Sequence, residues 1–284
     1  MKRSAPFLHR RSTAARLRRR ALEIAFALVT LAFFWGPARA AAAGDEANRI
    51  VAEIAEQFLE PRAAAQLQAL LALEGQTKLA SVANWADEAA DQRRDMQRWH
   101  YVEIPLFSTA YDARRDCRNG ACVVMKLEQF SAVLRDKNAS PGARLEALKY
   151  VVSFAADIHQ PTHTSDARGA KGGGDGIVMV SDGRRVNLRD LWDDELLSNI
   201  TDTRAAALDL ANSITNREQH DWQTGNPADW ANESHAVAKG FVYRYIPASN
   251  VLSPSYEAAV MPVALDRLRR AGVRLAKILN HSLA

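Results

Sequence analysis

The 284-residue sequence lacks an internal repeat, a low-complexity stretch and a linker that would separate two halves. These absences exclude a repeat array and a disordered chain, and they favour one domain with a proper core. Strand signals are also scarce, because apolar alternation appears only over 177–181, before a turn at Asp182-Gly183. We therefore predict a mainly α-helical, single multi-helix domain with one small β-hairpin.

The body of the chain also lacks an excess of positive charge. The formal net charge of +4 comes from residues 1–40, which hold nine Lys/Arg and one acid. Residues 41–284 therefore hold 28 basic and 32 acidic residues, a net charge of −4. A body of that charge has no general attraction for polyanions, so any contact with nucleic acid must be local.

The leader lacks an apolar run that would span a membrane comfortably, because its apolar core covers only 24–35. A basic segment precedes this core, and Ala38-Arg39-Ala40 after it fits the pattern of a signal cleavage site. We predict a signal peptide over 1–40, a domain over 41–284, and export to the periplasm or the exterior. No stable membrane insertion is expected after cleavage; a membrane anchor is the alternative.

Cysteine is nearly absent, with only Cys117 and Cys122. Asn119-Gly120 between them signals a turn that brings the two sulfurs together. In an exported chain such a pair most simply forms one small-loop disulfide. Two buried free thiols are the alternative.

Helical periodicity dominates what is present. Apolar spacing and Pro positions predict helices over 46–60, 63–73, 78–90, 127–135, 188–200, 203–215, 229–245 and 256–283. A further helix begins at Ser140-Pro141, with Ser at the N-cap and Pro at the first helical position.

That helix ends in Asp157-Ile-His159-Gln-Pro-Thr-His163, which places a carboxylate and two imidazoles near its last turn. Zinc binds such oxygen and nitrogen donors, so the stretch suits metal ligation. A capped helix end with hydrogen-bonded histidines is the alternative reading. We expect His159 to be structural or to support a ligand rather than to bind a metal itself.

Acidic residues and histidines lie beside aromatic or apolar residues in four segments: Trp85-Ala-Asp87, Trp99-His100-Tyr101, Asp157 to His163, and Asn187-Leu-Arg189-Asp-Leu-Trp-Asp193. Helix bundles build metal sites from such side chains, which project into the core from facing helices. At these residues the chain resembles the zinc-dependent single-strand nuclease family, the S1/P1 nucleases. The resemblance covers 44–280 and includes Asp116-Cys-x-x-Gly-x-Cys-Val-Val, Trp230-Ala-Asn-Glu-Ser and Ala271-Gly-Val-Arg-Leu-Ala. It implies the helical fold shared with zinc-dependent phospholipase C.

The resemblance implies phosphodiester cleavage with three clustered zinc ions, and in some members removal of the phosphate from 3′-nucleotides. Carried over to this chain, the ligands are Asp87, His100 and Asp157 for one zinc, His163 and Asp193 for a second, and Asp157 as a bridge to a third. Asp87 would orient the attacking water, and Tyr101 would stack on a nucleobase, although a core tyrosine is the alternative. The implied partners are single-stranded nucleic acid or nucleotides, and no protein partner is predicted.

The chain departs from the family at four ligand positions. Ala43 and Asn48 replace the Trp and His of the third zinc site, and Ser153 and Arg189 replace histidines of the first and second sites. Three protein ligands plus water still make a catalytic zinc site, but two do not, so we expect one or two zinc ions, or none.

Three functional hypotheses follow. The first is an exported phosphodiesterase with a depleted zinc cluster, and the second is a weak or inactive relative that binds phosphate or nucleotide through Arg189. The third, a phospholipase C-like hydrolase, is disfavoured by the disulfide loop and Trp230-Ala-Asn-Glu-Ser. We also expect Arg189 to neutralise Asp193, four residues further along a helix, where a metal would otherwise sit; a surface ion pair is the alternative.

Overall fold

The polypeptide is built from α-helices joined by short turns, and a computed structural model describes residues 45–166, 177–180, 183–246 and 249–284. The predicted signal peptide and Ala43 lie outside these residues. The α-helices are α1 (Asp45–Gln57), α2 (Pro61–Leu71), α3 (Trp85–Gln92), α4 (Ala113–Asp116), α5 (Val123–Arg135), α6 (Pro141–Asp157), α7 (Leu188–Asp193), α8 (Thr203–Asn212), α9 (Asn216–Trp222), α10 (Pro227–Val237) and α11 (Pro254–Leu283). The mainly α prediction is confirmed.

Helix α6 lies at the centre of the core and packs against α1, α3, α5 and α11. Its side chains are buried on nearly every side, which requires apolar residues around the whole helix rather than along one stripe. Ser140 caps its first turn by accepting a hydrogen bond from the Ala143 amide, with Pro141 at the first helical position, as the sequence predicts. The helix ends at Asp157, before Pro161.

The predicted hairpin is also present. Strand β1 (Ile177–Met179) pairs antiparallel with β2 (Arg185–Asn187), so that Val178 faces Val186 across the pair. Gly183 has a φ of 84°, a conformation that glycine adopts without strain, and it closes the turn. Helix α7 starts directly after β2, and Asn187 caps it by accepting from the Arg189 amide.

Four helix predictions are wrong in extent or continuity. The predicted helix over 78–90 divides into a 3₁₀ turn (Leu79–Val82) and α3, because Asn84 takes a non-helical conformation between them. The helix over 188–200 divides at Asp194 for the same reason. Helix α5 starts four residues before its predicted start, because Val123 and Val124 are buried in the core. The helix over 229–245 consists of α10 and a π-helical segment (Ala238–Val242).

Helix α9 was not predicted, although its sequence carries a start signal. Thr215 and Glu218 form a capping box, in which each side chain bonds the backbone of the other residue. Cys117 and Cys122 form a disulfide, as predicted. In the described ranges, we find no helix with the length and apolarity that a membrane crossing requires.

Gly272 permits the close approach of α11 to α1. A β-carbon at this position would overlap the side chain of Ile54 and would lie 3.4 Å from the carbonyl oxygen of Val51. Both neighbours are fully buried, so neither has space into which it can move.

We predict that Gly272→Ala lowers the free energy of unfolding by about 1–3 kcal/mol, because it overpacks this contact. Gly142→Ala is the matched control, since Gly142 lies in α6 with open space around its α-carbon. There alanine should be neutral or stabilise by about 0.4–1 kcal/mol. Urea denaturation followed by circular dichroism measures both, and equal stability of the two variants would contradict the close-packing argument.

Candidate metal centre

Five acidic and histidine side chains meet at the carboxyl-terminal end of α6. Asp157 is the last residue of α6, and Asp193 is the last residue of α7. His100 and His163 each end a 3₁₀ turn, and Asp87 lies in the first turn of α3. The structure therefore brings together all the residues that the resemblance implies as remaining ligands.

Asp87, His100 and Asp157 form the tightest group. The Nδ1 atom of His100 lies 2.9 Å from an Asp157 oxygen and 3.3 Å from Asp87 Oδ1. One donor atom from each residue lies within 4.8 Å of the other two. Two carboxylate oxygens and an imidazole nitrogen at this separation fit one divalent cation such as zinc.

His163 and Asp193 form a second pair beside this group. His163 Nε2 lies 3.0 Å from Asp193 Oδ2, and His163 Nδ1 lies 3.4 Å from Asp157 Oδ1. Gln160 donates to the other Asp193 oxygen at 2.8 Å. This pair supplies only two protein donors, so the described residues do not complete a second metal site.

The two histidines supply positive charge beside the three carboxylates. Burial alone would lower the pKa of His100, but Asp157 and then Asp87 outweigh it and raise that pKa to about 9. The pKa of His163 is raised in the same way, because Asp193 outweighs the effect of burial. Burial raises the pKa of Asp87 to about 7, against the opposing effect of His100.

Two of the substituted ligand positions now bond to Asp87. The Asn48 amide donates to Asp87 Oδ2 at 3.0 Å, and the Ser153 hydroxyl donates to the same oxygen at 3.2 Å. Both residues are buried. Where the resemblance calls for histidine ligands, this chain therefore has hydrogen-bond donors that hold the Asp87 carboxylate.

Arg189 does not take the position that we expected. Within the described ranges, the ion-pair partner of Asp193 is His163 and not Arg189. The Arg189 guanidinium instead lies over the Tyr101 ring, 5.2 Å from its centroid. The i,i+4 spacing did not predict the ion pair, because the Asp193 side chain contacts His163 near the end of α6, whereas the Arg189 side chain contacts Tyr101.

His159 belongs to a separate hydrogen-bond network between α6 and α11, in agreement with the prediction that it is not a ligand. Its Nδ1 donates to the Ala155 carbonyl at 2.7 Å, and its Nε2 accepts from Arg274 at 3.0 Å. Burial, followed by Arg267 and Arg274, holds its pKa well below the ordinary value, so the ring is neutral.

This network fixes the backbone that follows Asp157. Ser234 donates to the Ile158 carbonyl at 2.7 Å, and Arg267 donates to the His159 carbonyl at 3.1 Å. Glu233 accepts two hydrogen bonds of 2.7 Å from Arg274. These bonds satisfy carbonyls that the end of a helix leaves open, and they tie the position of Asp157 to α10 and α11.

Sequence reasoning missed the roles of Gln160, Glu233, Arg267 and Arg274. A signal was present for the two arginines, which lie seven residues apart on the face of α11 that also carries buried Ala264 and Ala271. Charged residues on a buried helical face need partners, so the spacing alone indicates an internal network.

Comparison with known proteins gives consistent results. The family model described as S1/P1 Nuclease matches residues 44–284. The chain is 28% identical to Endonuclease 2 of Arabidopsis thaliana, over 84% of this chain and 89% of that protein. It is 27% identical to Nuclease S1 of Aspergillus oryzae, over 89% of this chain and 93% of that protein.

We predict that Glu233→Gln removes part of the acid dependence of stability. Partial burial alone would raise the pKa of Glu233, but Arg274 and Arg267 outweigh it and lower that pKa below its ordinary value of 4.5. A carboxylate with a lowered pKa stabilises the fold above the pKa of the unfolded chain, and this contribution is lost as the pH falls through the folded value.

Urea unfolding measured from pH 7 to about pH 3 should therefore show a shallower decline for Glu233→Gln than for the wild type. The variant should also be less stable at neutral pH, because Arg274 loses its charged partner. Glu146→Gln, at an exposed position of α6, should behave as the wild type. Identical pH profiles for wild type and Glu233→Gln would contradict the prediction.

Proposed function

The chain belongs to the S1/P1 nuclease family. We propose that it is a zinc-dependent phosphodiesterase that cleaves single-stranded nucleic acid with a single bound zinc ion. The supporting observation is the group Asp87, His100 and Asp157, whose donor atoms lie within 4.8 Å of one another. Relatives named as endonucleases and as Nuclease S1 align over most of the chain. Removal of the phosphate from 3′-nucleotides is a second reaction that the same site would support.

A zinc ion held by these residues would polarise a phosphate oxygen and lower the pKa of a water molecule. The protein's own contribution is positional. His100 and Asp157 are buried, whereas the Asp87 side chain is 24% exposed and is the member of the group that solvent reaches. Asn48 and Ser153 hold one Asp87 oxygen, and the other, which lies 3.3 Å from His100 Nδ1, would contact the metal and orient the attacking water.

The substrate side of the site combines an aromatic ring with a cation. Tyr101 follows His100 directly, at the position where a nucleobase would stack, and stacking on an aromatic face tolerates every base. The Arg189 guanidinium lies over one face of that ring. A phosphate adjoining a stacked base would meet the guanidinium, which binds phosphate oxygens with two hydrogen bonds.

A second candidate function is binding without catalysis. It is favoured by Asn48 and Ser153, which leave only three protein donors in the group and engage an oxygen of one of them. Such a relative would bind a phosphate or nucleotide beside Arg189 and Tyr101 without turnover. Zinc content and turnover separate the two candidates.

We also propose that the chain is exported. The supporting features are the basic and apolar leader with its small-x-small motif and the disulfide between Cys117 and Cys122, since disulfides persist in oxidising compartments.

We predict that the purified protein binds one zinc ion per chain and cleaves single-stranded DNA or RNA when zinc is present. Asp157→Ala should lose the zinc and reduce the rate by at least about 10²-fold, because a metal contributes several kcal/mol to charge stabilisation. Elemental analysis and a gel-based cleavage assay measure these results. Asp209→Ala, at an exposed position of α8, is the control and should retain both zinc and activity.

Three zinc ions per chain would contradict the single metal position. If the wild type binds zinc but cleaves no faster than Asp157→Ala, the catalytic function is excluded and the binding function is left.

We further predict that Ser153→His tightens zinc binding at least about tenfold, because it adds an imidazole one turn before Asp157 on the same face of α6. Position 153 is fully buried, so the larger side chain should cost about 1–3 kcal/mol of stability when zinc is absent. A chelator competition assay measures the affinity. Ser153→Ala removes the hydroxyl without adding a donor and should not tighten binding; equal affinities of the two variants would refute the assignment of this position.

A further inference from the structure

A cleft of about 540 Å³ lies between α1 and the start of α3, and we call it the α1–α3 cleft. Helix α1 contributes Arg49 and Glu53 to its lining, and the start of α3 contributes Asn84, Trp85 and Glu88. Side chains between positions 74 and 82 supply the rest. Cavities of this volume are typical of small-molecule sites, and none of the lining residues is a ligand of the candidate metal centre.

Glu53 brings a buried carboxylate to this cleft. The residue is only 7% exposed, and its Oε2 atom is buried without a hydrogen-bond partner in the part of the chain that the structure describes. It forms no ion pair within that part, although Arg49 precedes it by one turn of α1. A buried carboxylate is costly unless a positive group or a hydrogen bond compensates its charge. Glu53 lacks that compensation, and the cleft that it lines gives a cation access to it.

The protein already binds one ammonium group with residues of the same cleft. Lys149 Nζ lies 2.6 Å from a Glu74 oxygen and 4.6 Å from the centroid of the Trp85 ring. Both Glu74 and Trp85 line the α1–α3 cleft. A carboxylate beside an aromatic face attracts alkylammonium groups through its charge and through the quadrupole of the ring. The internal lysine therefore shows the chemistry by which this cleft can hold an amine.

Two carboxylates of the cleft remain after the internal pairs have formed. The lysines beside the cleft, Lys78 and Lys149, are each bound to other acids. Glu53 and Glu88 lie on different helices, and neither takes part in an ion pair within the described ranges. The remaining charges therefore favour a ligand that carries more than one positive group.

The arrangement of the acids favours an organic amine over a metal ion. Among the described residues, only Asp87, His100 and Asp157 bring three acidic or histidine donor atoms within 4.8 Å of one another. The carboxylates of the cleft therefore do not form a comparable set around one ion. A flexible amine with its positive groups several bonds apart can meet separated carboxylates, and its methylene groups can pack against Trp85.

We propose that the α1–α3 cleft binds a linear aliphatic amine with two or more ammonium groups, of which one pairs with Glu53 and another with Glu88. This site is separate from the candidate metal centre, and the proposal does not depend on the proposed function.

Isothermal titration calorimetry with spermidine tests the proposal, at an ionic strength of about 0.15 M, which screens exposed charges. The wild type should bind one spermidine per chain. Glu53→Gln should raise the Kd at least about tenfold, since it removes a charge-assisted contact, and Glu88→Gln, at an exposed position, about two- to fivefold. Glu146→Gln, on exposed α6 surface, is the matched control and should leave the Kd unchanged. Propylamine, with one ammonium group, should bind at least about tenfold more weakly than spermidine.

Thermal unfolding gives an independent measurement. Without amine, Glu53→Gln should be at least as stable as the wild type, because it removes a buried charge that has no partner. Spermidine should raise the Tm of the wild type and of Glu146→Gln, but not that of Glu53→Gln. A loss of stability in Glu53→Gln without amine would show that Glu53 has a partner within the protein, and it would overturn the proposal.

Equal spermidine Kd values for Glu53→Gln and the wild type would also overturn it, as would equal binding of propylamine and spermidine. Displacement of spermidine by zinc would place the amine at the candidate metal centre, and displacement by magnesium at the same ionic strength would assign the cleft to divalent ions; either result contradicts the proposal. Since these assays need neither zinc nor turnover, their outcome is independent of whether the chain cleaves nucleic acid.

Discussion

The carboxylate of Asp157 is the group on which the arrangement of the pocket depends. It is buried at the end of a helix that is itself buried, where a single negative charge is costly unless positive groups and hydrogen bonds surround it. His100 meets one of its oxygens and His163 approaches the other. These contacts hold the 3₁₀ turns that end at His100 and His163 against the end of α6. Asp87 contacts His100 and Asp193 contacts His163, so both carboxylates also lie at this end of the helix.

The position of Asp157 is fixed by contacts to the backbone that follows it as well as by contacts to its carboxylate. The carbonyls of Ile158 and His159 are bound by Ser234 and Arg267, and Arg274 links His159 to Glu233. The neutral histidine between two arginines is a consequence of this packing, because a second positive charge there would be repelled. The geometry of the candidate metal centre therefore depends on the packing of α10 and α11 against α6.

The parts of this arrangement that could be predicted are those with a local cause. Ser140 and Pro141 define the start of α6, and the uninterrupted apolar run defines its burial. The disulfide follows from two cysteines around a turn. The partner of Asp193 could not be found in this way, since i,i+4 spacing favoured Arg189 while the structure uses His163, thirty residues away in sequence. Spacing predicts neighbours on one helix, whereas charges in a core are paired between elements.

Two positions at which the resemblance implies histidine ligands carry other hydrogen-bonding side chains in this chain. A buried polar position remains stable if its hydrogen bonds are satisfied, whether or not it contacts a metal. Asn48 and Ser153 meet this condition by donating to one oxygen of Asp87, so they keep that carboxylate in place. In these contacts the two residues act as hydrogen-bond donors, where the resemblance implies imidazole lone pairs directed at a metal. The retained group still offers three donors, since Asp157, His100 and Asp87 converge on one position.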